Sequence, residues 1–362
     1  MISINHVITN FSGIGGAELM LIRLINSTPN VRHRVISLMS ISDDLTRKID
    51  NKNVEYLSLN SKGMLSMFLS SFRLAFYLRR NESKIISWMY HACVISSISS
   101  LFLKKGRSHY FNIRHSLDAL ESEKISTRIS IYACKYLSRY SSGNIYCSSK
   151  AMNQHQNLGF FSGSSIYIPN GYTFTHDDYT KRSHTKERFV IGMLGRFNEA
   201  KDFNNLLESF KKTLSCYPDA FLKIGGKGVD HKNVDLMKII DDLNIPRDKL
   251  ELLGPVTDVN SFYRSLDLYV LSSRNEAFPN VLVEAMSNSL PVVSTNVGDA
   301  SLIIDNNDYL VPPSDSAKLS NKILEFIGMS DIERDSIGKR NKELVLSNYS
   351  IEYVSDMYLS LR

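Results

Sequence analysis

The feature that most constrains this chain is a strand–helix–strand pattern in residues 268–298. Leu268-Tyr269-Val270-Leu271 is a short apolar run of the length a strand covered on both faces requires. A polar loop carries the chain past Glu276 to Pro279, whose fixed φ suits a first helical turn. Val281, Leu282, Ala285 and Met286 recur at helical spacing, and Ser287-Asn288-Ser289 end the helix. Pro291-Val292-Val293-Ser294 reads as a second strand, closed by a turn at Asn296-Val297-Gly298. Such a unit is expected to be parallel and right-handed. In open parallel sheets ligands bind beyond the carboxyl ends of the strands. Glu276 therefore stands where a ligand is expected, next to a helix start whose N–H groups and partial positive charge suit a phosphate. Glu284, eight residues further on, is placed to accept hydrogen bonds from sugar hydroxyls. A solvated Glu followed by a dipole-favouring Glu would leave the same trace in the sequence.

The alternation runs through the whole chain. Apolar strand candidates lie at 2–8, 33–39, 54–59, 84–91, 110–116, 144–149 and 166–171, then at 189–196, 221–228, 250–254 and 309–313, with helical segments between. At 362 residues the chain is too long for one typical domain. The pattern predicts two α/β domains, each a doubly wound parallel sheet of the Rossmann type. The boundaries expected are 1–172, a polar turn-rich linker at 173–187, 188–345, and a terminal helix at 346–362. Cys93, Cys134, Cys147 and Cys216 are scattered, with no C-x-x-C, which argues against a disulfide framework or a zinc site and fits a reducing compartment. No run of eighteen apolar residues predicts a membrane span, and no basic start with an apolar core predicts a signal peptide.

Charge is unevenly divided. Residues 1–172 hold 20 Lys+Arg against 9 Asp+Glu, a balance of +11, whereas the remainder carries −5. A basic first half suggests an anionic partner, either lipid or a pyrophosphate-bearing acceptor, or else a merely solvated face. Two helices there stand out. Residues 61–80 are unusually apolar and close with Arg73, Arg79 and Arg80. Helices covering a parallel sheet are often this apolar, so a core helix is the expectation, with the membrane interface as the alternative. Residues 123–140 interleave Lys124, Arg128, Lys135 and Arg139 with Ile125, Ile129, Ile131, Tyr132 and Tyr136. Nothing in the chain shows the aromatic and basic stacking pattern of single-strand binders, and no nucleic-acid partner is expected.

Further candidate residues fall at strand ends. The first strand enters Gly13-Ile14-Gly15-Gly16-Ala17-Glu18, where glycines allow a tight turn and close approach to a ligand. His91, and then Arg114 and His115, follow the fourth and fifth strands. Strand 189–196 stops at Gly195-Arg196, and Lys201 comes just before a helix; two cations at a helix start can neutralise a diphosphate leaving group. Gly225 ends the next strand, and Pro255-Val256-Thr257 follows the one after. No Asp-x-Asp occurs, so no metal-carboxylate clamp is expected and the side-chain cations would supply the positive charge.

Glu276-Ala-Phe-Pro-Asn with Val-Leu-Val-Glu284-Ala-Met resembles the Glu-x7-Glu motif of retaining family-4 glycosyltransferases with the GT-B fold. Gly195, Arg196 and Lys201 match that family's Gly-Arg-x4-Lys motif, and Gly-x-Gly-Gly-Ala-Glu its first loop. Asn-Ile-Arg-His-Ser at 112–116 is similar to bacterial polysaccharide-building members, and Ile-Pro-Asn-Gly at 168–171 to the family's inter-domain corner. The resemblance implies two Rossmann-like domains facing a cleft. It implies Glu276, Arg196, Lys201 and His115 as catalytic residues. Gly15, Gly16, Gly195, Gly225, Val256, Ala277, Phe278, Pro279, Asn280, Val281 and Glu284 would bind the nucleotide-sugar donor; Arg114, His91 and Glu18 would meet the acceptor. Ala277 departs from the family, which has Gly there. The implied reaction moves a hexose or N-acetylhexosamine, with retention and without a metal or other cofactor, from a nucleotide sugar (UDP favoured) to a lipid-linked or oligosaccharide acceptor of a surface polysaccharide. The implied location is cytoplasmic, peripheral on the inner face of the membrane. A soluble small-molecule acceptor, or an epimerase of the same fold, remains open.

Overall fold

The computed structural model describes residues 2–79, 83–104, 106–118, 120–174 and 188–361; the expected linker beyond 174, and Arg80, lie outside them. The chain divides into two units, residues 1–173 with 349–362, and residues 174–348.

The strands of the first unit are β1 Ser3–Ile8, β2 Arg32–Ser37, β3 Val54–Ser58, β4 Lys84–Trp88, β5 His109–Ile113, β6 Gly143–Tyr146 and β7 Ser165–Tyr167. All pair in parallel, in the order β3-β2-β1-β4-β5-β6-β7. In the second unit β8 Phe189–Leu194, β9 Ala220–Gly225, β10 Leu250–Leu252, β11 Leu268–Leu271, β12 Val292–Thr295 and β13 Leu310–Val311 form a parallel sheet in the order β10-β9-β8-β11-β12-β13. Both orders are the doubly wound Rossmann order, with the chain reversing direction across the sheet at β1/β4 and at β8/β11. Every residue of β5, β6, β8, β11 and β12 is buried, as strands covered on both faces must be.

In the second unit Ile191, Met193 and Leu222 pack under Leu206, Leu207 and Phe210 of helix Phe203–Cys216, and under Leu319, Ile323 and Phe326 of helix Ser316–Gly328. In the first unit, helix Gly16–Ser27 and the terminal helix Ile351–Leu359 share one cluster with β1. Tyr358 stacks on Trp88 at 6.1 Å. The chain rejoins this unit three residues later than the sequence suggests. Helix Asp331–Tyr349 runs unbroken past 345, and Tyr172 then hydrogen-bonds to both Tyr349 and Ile351.

Helices Met64–Arg79, Tyr90–Ser100 and Ile125–Leu137 cover the other face of this sheet. The first of them is not the core helix expected. Ser70, Ser71, Leu74, Ala75 and Leu78 are buried, but Leu65, Phe68, Leu69, Phe72 and Phe76 stay exposed on its other face. A second difference is at β4, which ends at Trp88 rather than 91. Met89 takes a left-handed φ of 69° and starts the helix, so His91 lies in a first helical turn and not on a strand end.

Candidate active site

In the second unit the loops after β8 and β11 flank the point where strand order reverses, and they are joined side chain to side chain. Lys201 Nζ lies 2.6 Å from Glu276 Oε1, with both side chains largely buried. Ser273 Oγ donates to the same oxygen at 2.7 Å. A charge-assisted pair at this depth holds its geometry better than an exposed one. The loop backbones are tied as well: Arg274 N donates to Ala200 O at 2.8 Å, and Ser272 Oγ to Lys201 O at 2.9 Å. Asp202 has a left-handed φ of 47°, caps helix Phe203–Cys216 through Asn205 N, and receives Arg274 Nε at 2.7 Å. From β12, Thr295 Oγ1 donates to Ser273 O at 2.7 Å, which fixes the residue that in turn holds Glu276.

Glycines let these loops approach. Gly226 has a φ of 141°, and a Cβ there would sit 2.0 Å from Gly195 O; one on Gly225 would meet Val256 at 2.6 Å. A Cβ on Gly195 would press on the Lys201 stem at 3.2 Å. Gly298, with a φ of 55°, lies against the carbonyls of Glu276 and Ala277. Ala277 itself avoids the left-handed region, so its methyl group costs no backbone strain. Arg196 is exposed and has no hydrogen-bond or ion-pair partner among the described residues.

Helix Asn280–Ser287 begins after Pro279, which occupies the capping position rather than the first turn. The side chains of Phe278 and Pro279 are buried, so a ligand here would meet their backbone; Asn280 is exposed and Val281 half-buried. Glu284 Oε2 accepts from Tyr263 OH at 3.1 Å, and the same hydroxyl reaches Val281 O at 3.3 Å. The turn carrying Val256 borders a hollow of about 350 Å³ lined also by Lys223, Thr257 and Phe262.

The remaining candidates lie in the first unit, in the segments that follow β1, β4 and β5. Gly15 caps helix Gly16–Ser27, and the Glu18 carboxylate folds back onto the N–H groups of Gly15 and of Glu18 itself. A Cβ on Gly15 would strike that carboxylate at 2.6 Å. Burial raises the Glu18 pKa. The chain thus places its own acid on the helix start, in the manner of a capping box. Arg114 is held internally: its guanidinium bonds Asn170 and the Tyr358 hydroxyl and lies 5.8 Å over the Trp88 ring. His115 Nε2 pairs with Glu123 Oε1 at 2.9 Å and stays partly exposed. His91 is half-buried, which lowers its pKa.

Ser273, Tyr263, Thr295, Asp202 and Arg274 were not singled out from the sequence. Only Ser273, three residues before Glu276 in a polar loop, left a signal there. Among the described residues no cluster of three or more His, Cys, Asp or Glu could hold a metal ion, and no helix is long and apolar enough to cross a membrane.

Two parallel α/β units of Rossmann order, with cations and glutamates at the second reversal point, define a protein of the GT-B fold class. Residues 176–344, almost the whole second unit, match the family described as Glycosyl transferases group 1. The chain is 26% identical over 201 residues to the capsular polysaccharide biosynthesis glycosyltransferase CapM of Staphylococcus aureus, covering 54% of this chain and 52% of CapM. It is 28% identical over 173 residues to the lipopolysaccharide core biosynthesis glycosyltransferase LpsE of Rhizobium meliloti, covering 48% and 49%. It therefore spans about half the length of these curated relatives. HepE of Anabaena, solved in complex with UDP, superposes with a TM-score of 0.80 over 99% of this chain and 98% of its own, at 19% identity, a likeness of fold alone.

Proposed function

We propose that the protein is a retaining glycosyltransferase that moves a hexose or N-acetylhexosamine from a UDP-sugar to a lipid-linked or oligosaccharide acceptor in surface polysaccharide assembly. The observation that carries this reading is the Lys201–Glu276 pair, bonded at 2.6 Å where the second sheet reverses its strand order. On this reading Lys201 and Arg196 stabilise the charge that grows on the departing diphosphate, doing so without a metal. The helix start at Asn280 adds to the same field. Glu276, held by Lys201 and Ser273, orients the donor sugar rather than attacking it. A leaving phosphate oxygen takes the proton of the acceptor hydroxyl on the face it departs from, so the anomeric configuration is kept. Glu284, steadied by Tyr263, holds the ribose, while Gly195, Gly225 and Val256 bring backbone close to the nucleotide. In the first unit, His115, His91 and Glu18 are the residues proposed to serve the acceptor, with Arg114 held behind them by Tyr358 and Asn170.

The printed names of CapM and LpsE support a surface-polysaccharide role, and HepE was solved with UDP and with UDP-glucose. The protein would work in the cytoplasm, peripherally on the inner membrane face, with the basic first unit toward anionic lipid. The test has two parts. A thermal-shift panel of nucleotide sugars should single out a UDP-sugar. Turnover of that donor, measured with and without a lipid-linked acceptor, separates transfer from acceptor-free epimerisation. Glu276→Ala, Arg196→Ala and Lys201→Ala should each abolish transfer while melting cooperatively; near-normal turnover in all three would overturn the assignment.

A further inference from the structure

The first unit carries one helical layer on which two apolar ridges stand side by side. Helix Tyr90–Ser100 lies between helices Met64–Arg79 and Ile125–Leu137 and packs against both. On the first of these flanking helices Leu65, Phe68, Leu69, Phe72 and Phe76 follow one another at helical spacing, all exposed, with Leu65 at 76% and Phe76 at 60%. Phe68, Phe72 and Phe102 continue the ridge as touching rings, 6.4 and 5.3 Å between centroids. On the second, Ile125 (75% exposed), Ile129, Tyr132 and Tyr136 form the matching stripe, with Arg128 set into it. A contiguous exposed apolar surface of this kind marks an interaction site.

Charge decides what fits it. The described residues 62–79, 90–104 and 124–140, which make up this layer and its ends, contain eight Lys or Arg and no Asp or Glu. Two copies of such a face would oppose like charges across an apolar seam, so it disfavours pairing with itself. A flat anionic surface with an apolar interior satisfies both properties: aromatic and aliphatic side chains enter the acyl boundary while the cations meet headgroups.

We propose that this three-helix layer is a docking face for an anionic lipid bilayer, engaged through both ridges at once. The inference deepens the membrane-bound reading above and rests on it for the biological setting, but its chemistry is independent of the donor site. Phe72→Ser with Phe76→Ser, and separately Ile125→Ser with Ile129→Ser, change exposed side chains alone. Sedimentation of the full chain with phosphatidylcholine vesicles, and with phosphatidylcholine–phosphatidylglycerol vesicles, reads the proposal directly. Binding should appear on the mixed vesicles, fall as salt rises, and drop at least about tenfold in each double variant. Equal partition of wild type and both variants onto neutral and anionic vesicles would overturn it. So would a dimer, seen by light scattering, that the phenylalanine variant dissolves, because the face would then be a protein interface. Thermal shift by UDP-sugars on the same preparations separates the two readings: its loss alone overturns the glycosyltransferase assignment, and loss of vesicle binding alone overturns the docking face.

Discussion

Acid should unfold the first unit well before the second. Four histidines are buried in the first unit, and burial disfavours the charged form of each. Trp88 Nε1 donates to His6 Nδ1 at 3.3 Å, so His6 carries its proton on Nε2 and donates to His33 Nδ1 at 3.0 Å. His33 then donates from Nε2 to Thr28 Oγ1 at 2.9 Å, and Thr28 donates to Leu24 O at 2.6 Å. A second proton on either ring would set donor against donor. His109 bonds Ser87 Oγ at 2.8 Å, and His155 bonds Tyr90 OH at 2.8 Å and Ala151 O at 2.6 Å. Desolvation lowers all four, with His33, His109 and His155 each brought down to about 4, and His6 well below its usual value. A folded pKa below the unfolded one means the unfolded chain binds more protons in that window. Stability is then intact above an unfolded value of about 6.5 and is lost as pH falls toward about 4. At about pH 5 each of the three costs about 2 kcal/mol, or about 6 kcal/mol together. For a unit of this size that lowers the melting temperature by roughly 12–24 °C. The assay is built in, since Trp88 is the one tryptophan of the chain and lies in this core. Its fluorescence reports the first unit, and far-UV circular dichroism reports both. At about pH 5 the Trp88 transition should run far ahead of a second dichroism transition. A Trp88 midpoint that moves by only a degree or two between about pH 7.5 and pH 5 would refute the reasoning.

Three further outcomes follow from the second unit. Gly298→Ala puts a Cβ 2.5 Å from Ala277 O at a left-handed φ, so the Glu276 loop must shift. Donor turnover should fall by about 100-fold, and unchanged turnover would show that the loop position is not critical. Lys201→Met and Glu276→Gln should be non-additive in thermal stability by roughly 0.5–3 kcal/mol, because each removes half of one buried pair; strict additivity in the double-mutant cycle would contradict the 2.6 Å contact. Tyr263→Phe removes the hydroxyl that Glu284 and Val281 share, and should weaken UDP-sugar affinity by about tenfold with folding retained; unaltered titrations would rule out that support role.

The sequence by itself determined the architecture and much of the candidate site. Short apolar runs alternating with helical periodicity leave few folds open, and the strand-to-loop positions of Gly195, Lys201 and Glu276 follow from local spacing alone. Tertiary structure decided what local spacing cannot carry. Thr295 braces Ser273, which holds Glu276, and Tyr263 reaches Glu284, through contacts between segments about 20 residues apart whose pairing depends on strand order. Arg114 looks available in the sequence, yet the returning C-terminal helix brings Tyr358 onto it. Met89 turns left-handed and takes His91 off the strand, which an apolar run cannot reveal. Helix 64–79 has the composition of a core helix. Which of its faces is covered depends on how many neighbours the layer supplies, and an edge position in a three-helix layer leaves one apolar stripe uncovered.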